Sequence, residues 1–246
     1  MAAKKSTEIV EIRPIEMETA IVRIVGDSPL IVHAWSAKAK REILEKEIGA
    51  TKTKSRPVKN PLEDFASSMY WLTPMPEEFT ADALDNALAD ARFGFPVTGI
   101  KQAAISAAYR LGWSKDKMTF RGSFFIKPDV DGYYSGDLQI DYDKKKVDII
   151  PNVYRHEQLV EIHSDCPILR EDMVRVGMGS ADIRYRGEFN NWYADLQIEY
   201  NKNGQHSLEQ ILNIINAGGS VCGIGEWRPE KDGQYGMYHV EGVTEK

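Results

Sequence analysis

Two cysteines, Cys166 and Cys222, stand far apart in the chain and cannot build a disulfide framework. No apolar run approaches the length of a membrane-spanning helix. The opening "MAAKKSTEIVEIRPIEME" has no apolar centre of the kind a secretory signal needs. The phosphate-binding Walker A pattern is absent, as are a true G-x-G-x-x-G, an H-E-x-x-H and a paired C-x-x-C. His163 and Cys166 have a spacing seen in metal sites, but two ligands do not make one. Positive charge is also scarce. Lys and Arg number 31 against 37 Asp and Glu, giving a net charge of -6 and a pI near 5.5. That argues against a generic basic coat for nucleic acid, although a local patch can still bind. These absences lead us to expect a cytoplasmic protein with no cofactor, no metal and no membrane partner.

Hydrophobic residues make up 42% of the chain, enough for a substantial core. Residues 1–16 read as a polar arm, and 17–246 as one domain. "ETAIVRIVG" (18–26) is rich in β-branched residues and reads as a strand, with "SPLIVHAW" (28–35) following it. "SAKAKREILEKEIG" (36–49) has helical composition between Ser36 as cap and Gly49 as stop. "PLEDFASSMYWL" (61–72) is a second helix with Pro61 in its first turn, and "TADALDNALADARFG" (80–94) a third. Together they form a helical insertion over about 36–95. "PVTGIKQAAISAAYRLG" (96–112) places Ile100, Ala103, Ala104, Ala107 and Leu111 on one helical face.

From Lys117 onward the texture becomes that of strands, at 117–126, 136–143, 146–151 and 157–164, with a strand pair around Gly177–Ser180. "WYADLQIEY" (192–200) alternates as a half-buried antiparallel strand does. "SLEQILNIINAGG" (207–219) is a helix with a Ser207/Gln210 capping box and Gly218 as its C-terminal cap. The end is then read as a strand "SVCGIG", a turn "EWRPEKDGQ" and a returning strand. The skeleton is βαββαβ. That is an α+β fold, a ferredoxin-like or RRM-like antiparallel sheet with helical and β insertions.

Three stretches, "GDSPLIVHAW", "FPVTGIKQAAISAA" and "AGGSVCGIGEWRP", resemble the RAMP superfamily of CRISPR systems, Cas7-like backbone proteins in particular. In the second stretch Lys101 occupies the place of the family's lysine, and Gln102 stands where the family often has glycine. The texture "GIGEWRP…G-x-Y-G" is also similar to that of uncharacterised bacteriophage-encoded proteins, whose location would be the host cytoplasm. The resemblance implies single-stranded RNA or DNA held along a basic groove by backbone contacts and stacking. It implies further copies of the chain assembling along that strand, and a CRISPR or recombination protein as a possible partner.

Within 38–59, eight cations (Lys38, Lys40, Arg41, Lys46, Lys52, Lys54, Arg56 and Lys59) face three glutamates. The segment is either a polyanion site or a solvated helix and loop. In the resemblance, such an insertion reaches over the nucleic acid. Arg228 and Lys231 suit phosphates, and Trp227 and Tyr235 offer stacking faces. The alternatives are a Trp227 packed on the core and an Arg228 paired with Glu226 or Glu230. Arg184 and Arg186 share a strand face, as phosphate grips or as ordinary surface arginines. Gly218, Gly219, Gly223 and Gly225 allow another backbone to approach, either a nucleic-acid strand or a helix of the same domain. His33, in "PLIVHAW", is read as a core histidine, and "DYD" (141–143) as a turn. The expectation is a non-catalytic, single-stranded nucleic-acid-binding protein. The alternatives are an anti-defence or interaction protein reusing the RAMP fold, and a Cas6-like metal-independent ribonuclease with His33 as its base.

Overall fold

The computed structural model describes residues 14–49, 59–176 and 179–245. β1 (Met17–Gly26) and the two-residue β2 (Leu30–Ile31) precede α1 (Ala37–Glu47), α2 (Pro61–Ser67), β3 (Tyr70–Trp71) and α3 (Ala81–Leu88). β4 (Phe93–Pro96) runs directly into α4 (Val97–Arg110). Then come β5 (Phe124–Lys127), β6 (Val130–Asp141), β7 (Lys146–Ile162), β8 (Ile168–Val176), β9 (Ser180–Phe189) and β10 (Tyr193–Asn201). α5 (Leu208–Val221), a 3-10 turn (Pro229–Lys231) and β11 (Tyr238–Glu245) complete the order.

Six of these elements are the ferredoxin-like skeleton: β1, α4, β5, β10, α5 and β11. Their strands lie in the order β11-β1-β10-β5, and every neighbouring pair is antiparallel. Alternation explains the sheet. Ala20, Val22 and Ile24 on β1, and Ala194, Leu196 and Ile198 on β10, turn inward and lose all exposure. α4 and α5 pack over that face, and the alanines of α4 let them come close. The Ser207/Gln210 capping box at the start of α5 is present, as its sequence requires.

Two insertions decorate the skeleton. The first, between β1 and α4, holds the three helices expected near 36–95, together with β2, β3 and β4. The second, between β5 and β10, is two hairpins. Strands β3, β4, β7 and β6 pair in a closed ring, while β2, β9 and β8 form a small sheet.

Several local expectations are corrected. The second helix stops at Ser67, and Tyr70–Trp71 forms β3 because the Trp71 indole donates to the Ala66 carbonyl (2.8 Å) and its ring packs on Phe93. The strands read separately at 146–151 and 157–164 are one strand. Gly136 faces both Pro151 and Asn152, so the break is absorbed as a bulge. Gly218 and Gly219 do not end α5, which runs on to Val221, so "SVCGIG" is a helix end and turn rather than a strand. The left-handed cap is Gly223 (φ 65°), whose amide donates to the Gly218 carbonyl (2.8 Å).

Candidate nucleic-acid interface

The predicted side chains on the β8–β9 hairpin and the glycine-rich loop come together, but largely with one another. Arg186 is 2% exposed and is not a surface grip. The reason lies on the neighbouring strand. Its guanidinium donates to Asp172 Oδ2 (3.0 Å) and to His33 Nδ1 (3.2 Å), and Glu226 lies 3.6 Å away. Asp172 also accepts from Arg170 Nε (2.9 Å) and from the Trp227 indole nitrogen (3.1 Å). Burial acts to raise the pKa of Asp172. The donors Arg170, Trp227 and Arg186 outweigh it and hold the carboxyl below its ordinary range. Trp227 is thus neither a core side chain nor a free platform. Its indole N–H is tied down while part of the ring stays exposed. Tyr235 carries Arg170 over its ring at 4.5 Å.

Arg228 donates to the Gly225 carbonyl (2.8 Å) and, through Nε and Nη2, to Glu230 Oε2 (3.2 and 3.1 Å). Lys231 is exposed on the 3-10 turn. Arg184 lies 3.8 Å from Asp182, half-exposed. Lys59 is bound to β9 through Asp182 (3.0 Å) and the Ile183 carbonyl, near the Tyr185 ring. Lys52, Lys54 and Arg56 lie outside the described residues.

The glycines admit protein backbone. A Cβ on Gly218 would meet the Ala104 backbone of α4 at 2.9 Å, and one on Gly219 would overlap the Tyr238 carbonyl of β11. Gly225 (φ 75°) lies against the Ile31 carbonyl, and the next amide, of Glu226, donates to that carbonyl (2.8 Å). A Cβ on Gly223 would meet the Pro229 ring at 2.7 Å.

Lys101 is on a different surface, which no sequence motif assembles. Residues 101–127 contain Lys101, Arg110, Lys115, Lys117, Arg121 and Lys127 against one acid, Asp116, a local net charge of +5 in a chain of -6. Asp116 is occupied in capping its own turn, accepting from the amides of Met118 (2.7 Å) and Thr119 (2.9 Å). Phe120 plugs that turn into the core and stacks on His206, whose Nδ1 meets the Ser123 hydroxyl at 2.7 Å. Tyr109, Leu111, Trp113, Met118 and Phe125 keep between 44% and 69% of their surface exposed. Cations lie on the aromatic faces. Lys101 Nζ is 4.5 Å from the Phe125 centroid and 5.2 Å from that of Phe124, and Lys117 is 5.9 Å from Tyr109. Burial beside those rings lowers the pKa of Lys101. The signal that could have found this surface is the run of cations after Lys101, read together with "YRLGW" at the end of an amphipathic helix.

A chain of a type III-B Cmr-beta complex bound to cognate target RNA, determined by cryo-electron microscopy, is similar in structure, with a TM-score of 0.42 and 9% identity. The similarity covers 93% of this chain and 60% of that one, so this chain spans about three-fifths of that neighbour's length. No protein-family model and no curated protein matches the sequence.

His33 is exposed rather than a core residue. Its Nδ1 accepts from Arg186, which leaves its proton on the outward Nε2. Packing around the ring and the adjacent Arg186 charge lower its pKa. His163 stacks on Tyr193 at 4.7 Å, and Cys166 is exposed; no group of three metal-ligating residues occurs among the described residues. Asp141 of "DYD" caps its turn through the Lys144 amide (3.0 Å). No helix among the described residues is long and apolar enough to cross a membrane.

Proposed function

We propose that this chain is a non-catalytic, single-stranded nucleic-acid-binding protein of the RAMP, Cas7-like type, and that the α4–β5 surface is its principal contact. The observation that carries the reading is a set of exposed aromatic rings along α4, the turn after it and β5 with cations on their faces, Lys101 over Phe125 (4.5 Å) and Lys117 beside Tyr109 (5.9 Å), in a segment of six cations and one acid whose Arg110 and Lys127 pair with Glu230 and Glu199. Backbone phosphates pair with Lys and Arg, while bases stack on the aromatic faces. A single strand is favoured because a duplex keeps its base faces covered. The ferredoxin-like skeleton and the three stretches resembling RAMP proteins agree with this. The tautomer of His33 supports binding without turnover, since a general base needs an outward lone pair rather than an outward N–H.

The test is fluorescence anisotropy with single-stranded RNA and DNA of mixed sequence and with the matching duplexes. Single strands should bind more tightly than duplexes and remain uncut. Tyr109→Ala and Trp113→Ala should each weaken binding by about 1–3 kcal/mol, the contribution of one stacked base, without lowering the melting temperature. Single-strand affinity that is absent, or indifferent to both changes, would remove this surface and the reading built on it.

A further inference from the structure

The end of α4 meets the glycine-rich loop at one carboxylate. Glu230 receives an arginine on each oxygen: Arg110 Nη2 on Oε1 at 3.1 Å, and the Arg228 fork on Oε2 at 3.1 and 3.2 Å. Its own amide donates to the Cys222 carbonyl (3.0 Å), which fixes where the side chain starts. One turn earlier on α4, the Ser106 hydroxyl receives the Lys117 ammonium at 3.3 Å. Two arginines share one carboxylate, so the cluster is net positive with Glu230 in place.

Two arginines gripping two oxygens of one anion is the arrangement that suits a phosphate as well as a carboxylate. We propose that Arg110 and Arg228 form a phosphodiester-binding site at the joint of α4 and the glycine-rich loop, with Glu230 holding the phosphate's place until a strand displaces it. The inference rests on the nucleic-acid reading above and adds to it a residue that limits affinity. Displacement is feasible. The side chains of Arg110, Arg228 and Glu230 are 46%, 29% and 23% exposed, so the carboxylate can swing into water without unfolding the loop. Ion pairs this exposed contribute little to stability, and exchanging one acceptor for another costs little. The site adjoins Tyr109, the residue before Arg110, so a phosphate held here belongs to the strand whose bases stack on the α4–β5 aromatics. A resident carboxylate would also weaken indiscriminate binding, because a strand has to displace it as well as bind.

The experiment compares the wild-type chain with Glu230→Gln, which keeps the side chain's shape and removes its charge. Glu78→Gln, an exposed acid on the linker before α3, serves as a charge control. A 5′-hydroxyl single-stranded oligonucleotide is titrated at several salt concentrations. Glu230→Gln should tighten binding roughly tenfold, the size of one charge-assisted contact. It should steepen the slope of log K against log salt by about 0.7 for each phosphate gained. Adding Arg110→Ala should cancel the gain, and Glu78→Gln should change neither quantity. If the wild type fails to bind but Glu230→Gln binds, the placeholder role stands. If the wild type binds and Glu230→Gln binds no better, the placeholder is overturned and the α4–β5 reading survives. If neither binds, both fall. Calorimetry with inorganic phosphate separates the remaining source. Heat from free phosphate in Glu230→Gln, without a gain in strand affinity, would assign the site to a small anion and overturn the proposal.

Discussion

Removing Asp172 tests whether the glycine-rich loop is held to the β8–β9 hairpin by a buried charge. In Asp172→Ala three donors lose their acceptor: Arg186, Arg170 and the Trp227 indole. Their losses are unequal. Arg170 keeps Glu188 at 2.6 Å, and the partly exposed Trp227 can turn to water. Arg186, with a side chain 3% exposed, keeps only His33 and a Glu226 3.6 Å away. The largest loss therefore falls on one buried guanidinium stripped of its close carboxylate, about 3–5 kcal/mol. For a chain of this size each kcal/mol moves the melting temperature by about 2–4 °C, so a fall of roughly 6–20 °C is expected.

The double change Asp172→Leu with Arg186→Met removes both charges and should recover most of that loss, because neither partner is then left unpaired. Thermal unfolding followed by circular dichroism of Asp172→Leu, Arg186→Met and their combination, arranged as a double-mutant cycle, reads the coupling directly. The pH dependence has a definite sign. The folded pKa of Asp172 is lowered, so the stabilisation is complete above the unfolded value of about 3.9 and is lost as pH falls through the folded value. Additive single and double changes, or an Asp172→Ala variant that melts with the wild type, would refute the reasoning.

Gly219→Ala should be severely destabilising, because the added Cβ would overlap the Tyr238 carbonyl and force α5 away from β11; a drop of more than about 2 kcal/mol in a denaturant titration is expected. Ser207→Ala removes the acceptor for the Gln210 amide at the start of α5 and should cost about 0.5–2 kcal/mol in the same titration, with strand binding unchanged.

The parts of the fold legible in the sequence are those in which the signal is local. β10 alternates residue by residue, and the capping box of α5 is four residues long. With those two placed, the βαββαβ order follows. What could not be read depended on partners distant in the chain. Gly218 and Gly219 look like a helix stop, since a cap glycine and a packing glycine are the same letter; only Ala104 and Tyr238 reveal which is meant. Arg186 reads as a surface arginine because its carboxylate, Asp172, sits across a hairpin. At Arg228 one of the two pairings considered, with Glu230, is the one formed. The α4–β5 surface is hidden for another reason. Its cations are spread over 27 residues of helix, turn and strand, and which side chains of those elements face solvent depends on how α4 and β5 pack.

The central position of β1 has a consequence for timing. Both of its neighbours, β10 and β11, come from the far end of the chain, so that Arg23 meets an Asp195 lying 172 residues later. Closing a loop of that length costs roughly 4–5 kcal/mol in chain entropy before any contact repays it. Non-local pairing of this kind makes for slow folding. During synthesis β1 has to wait with both edges bare, the condition under which strands find the wrong neighbour. The β6–β7 and β8–β9 hairpins carry no such delay, because each strand pairs with the next. The decorations can therefore assemble before the core sheet they decorate, and the vulnerable interval ends only when β10 and β11 arrive to flank β1.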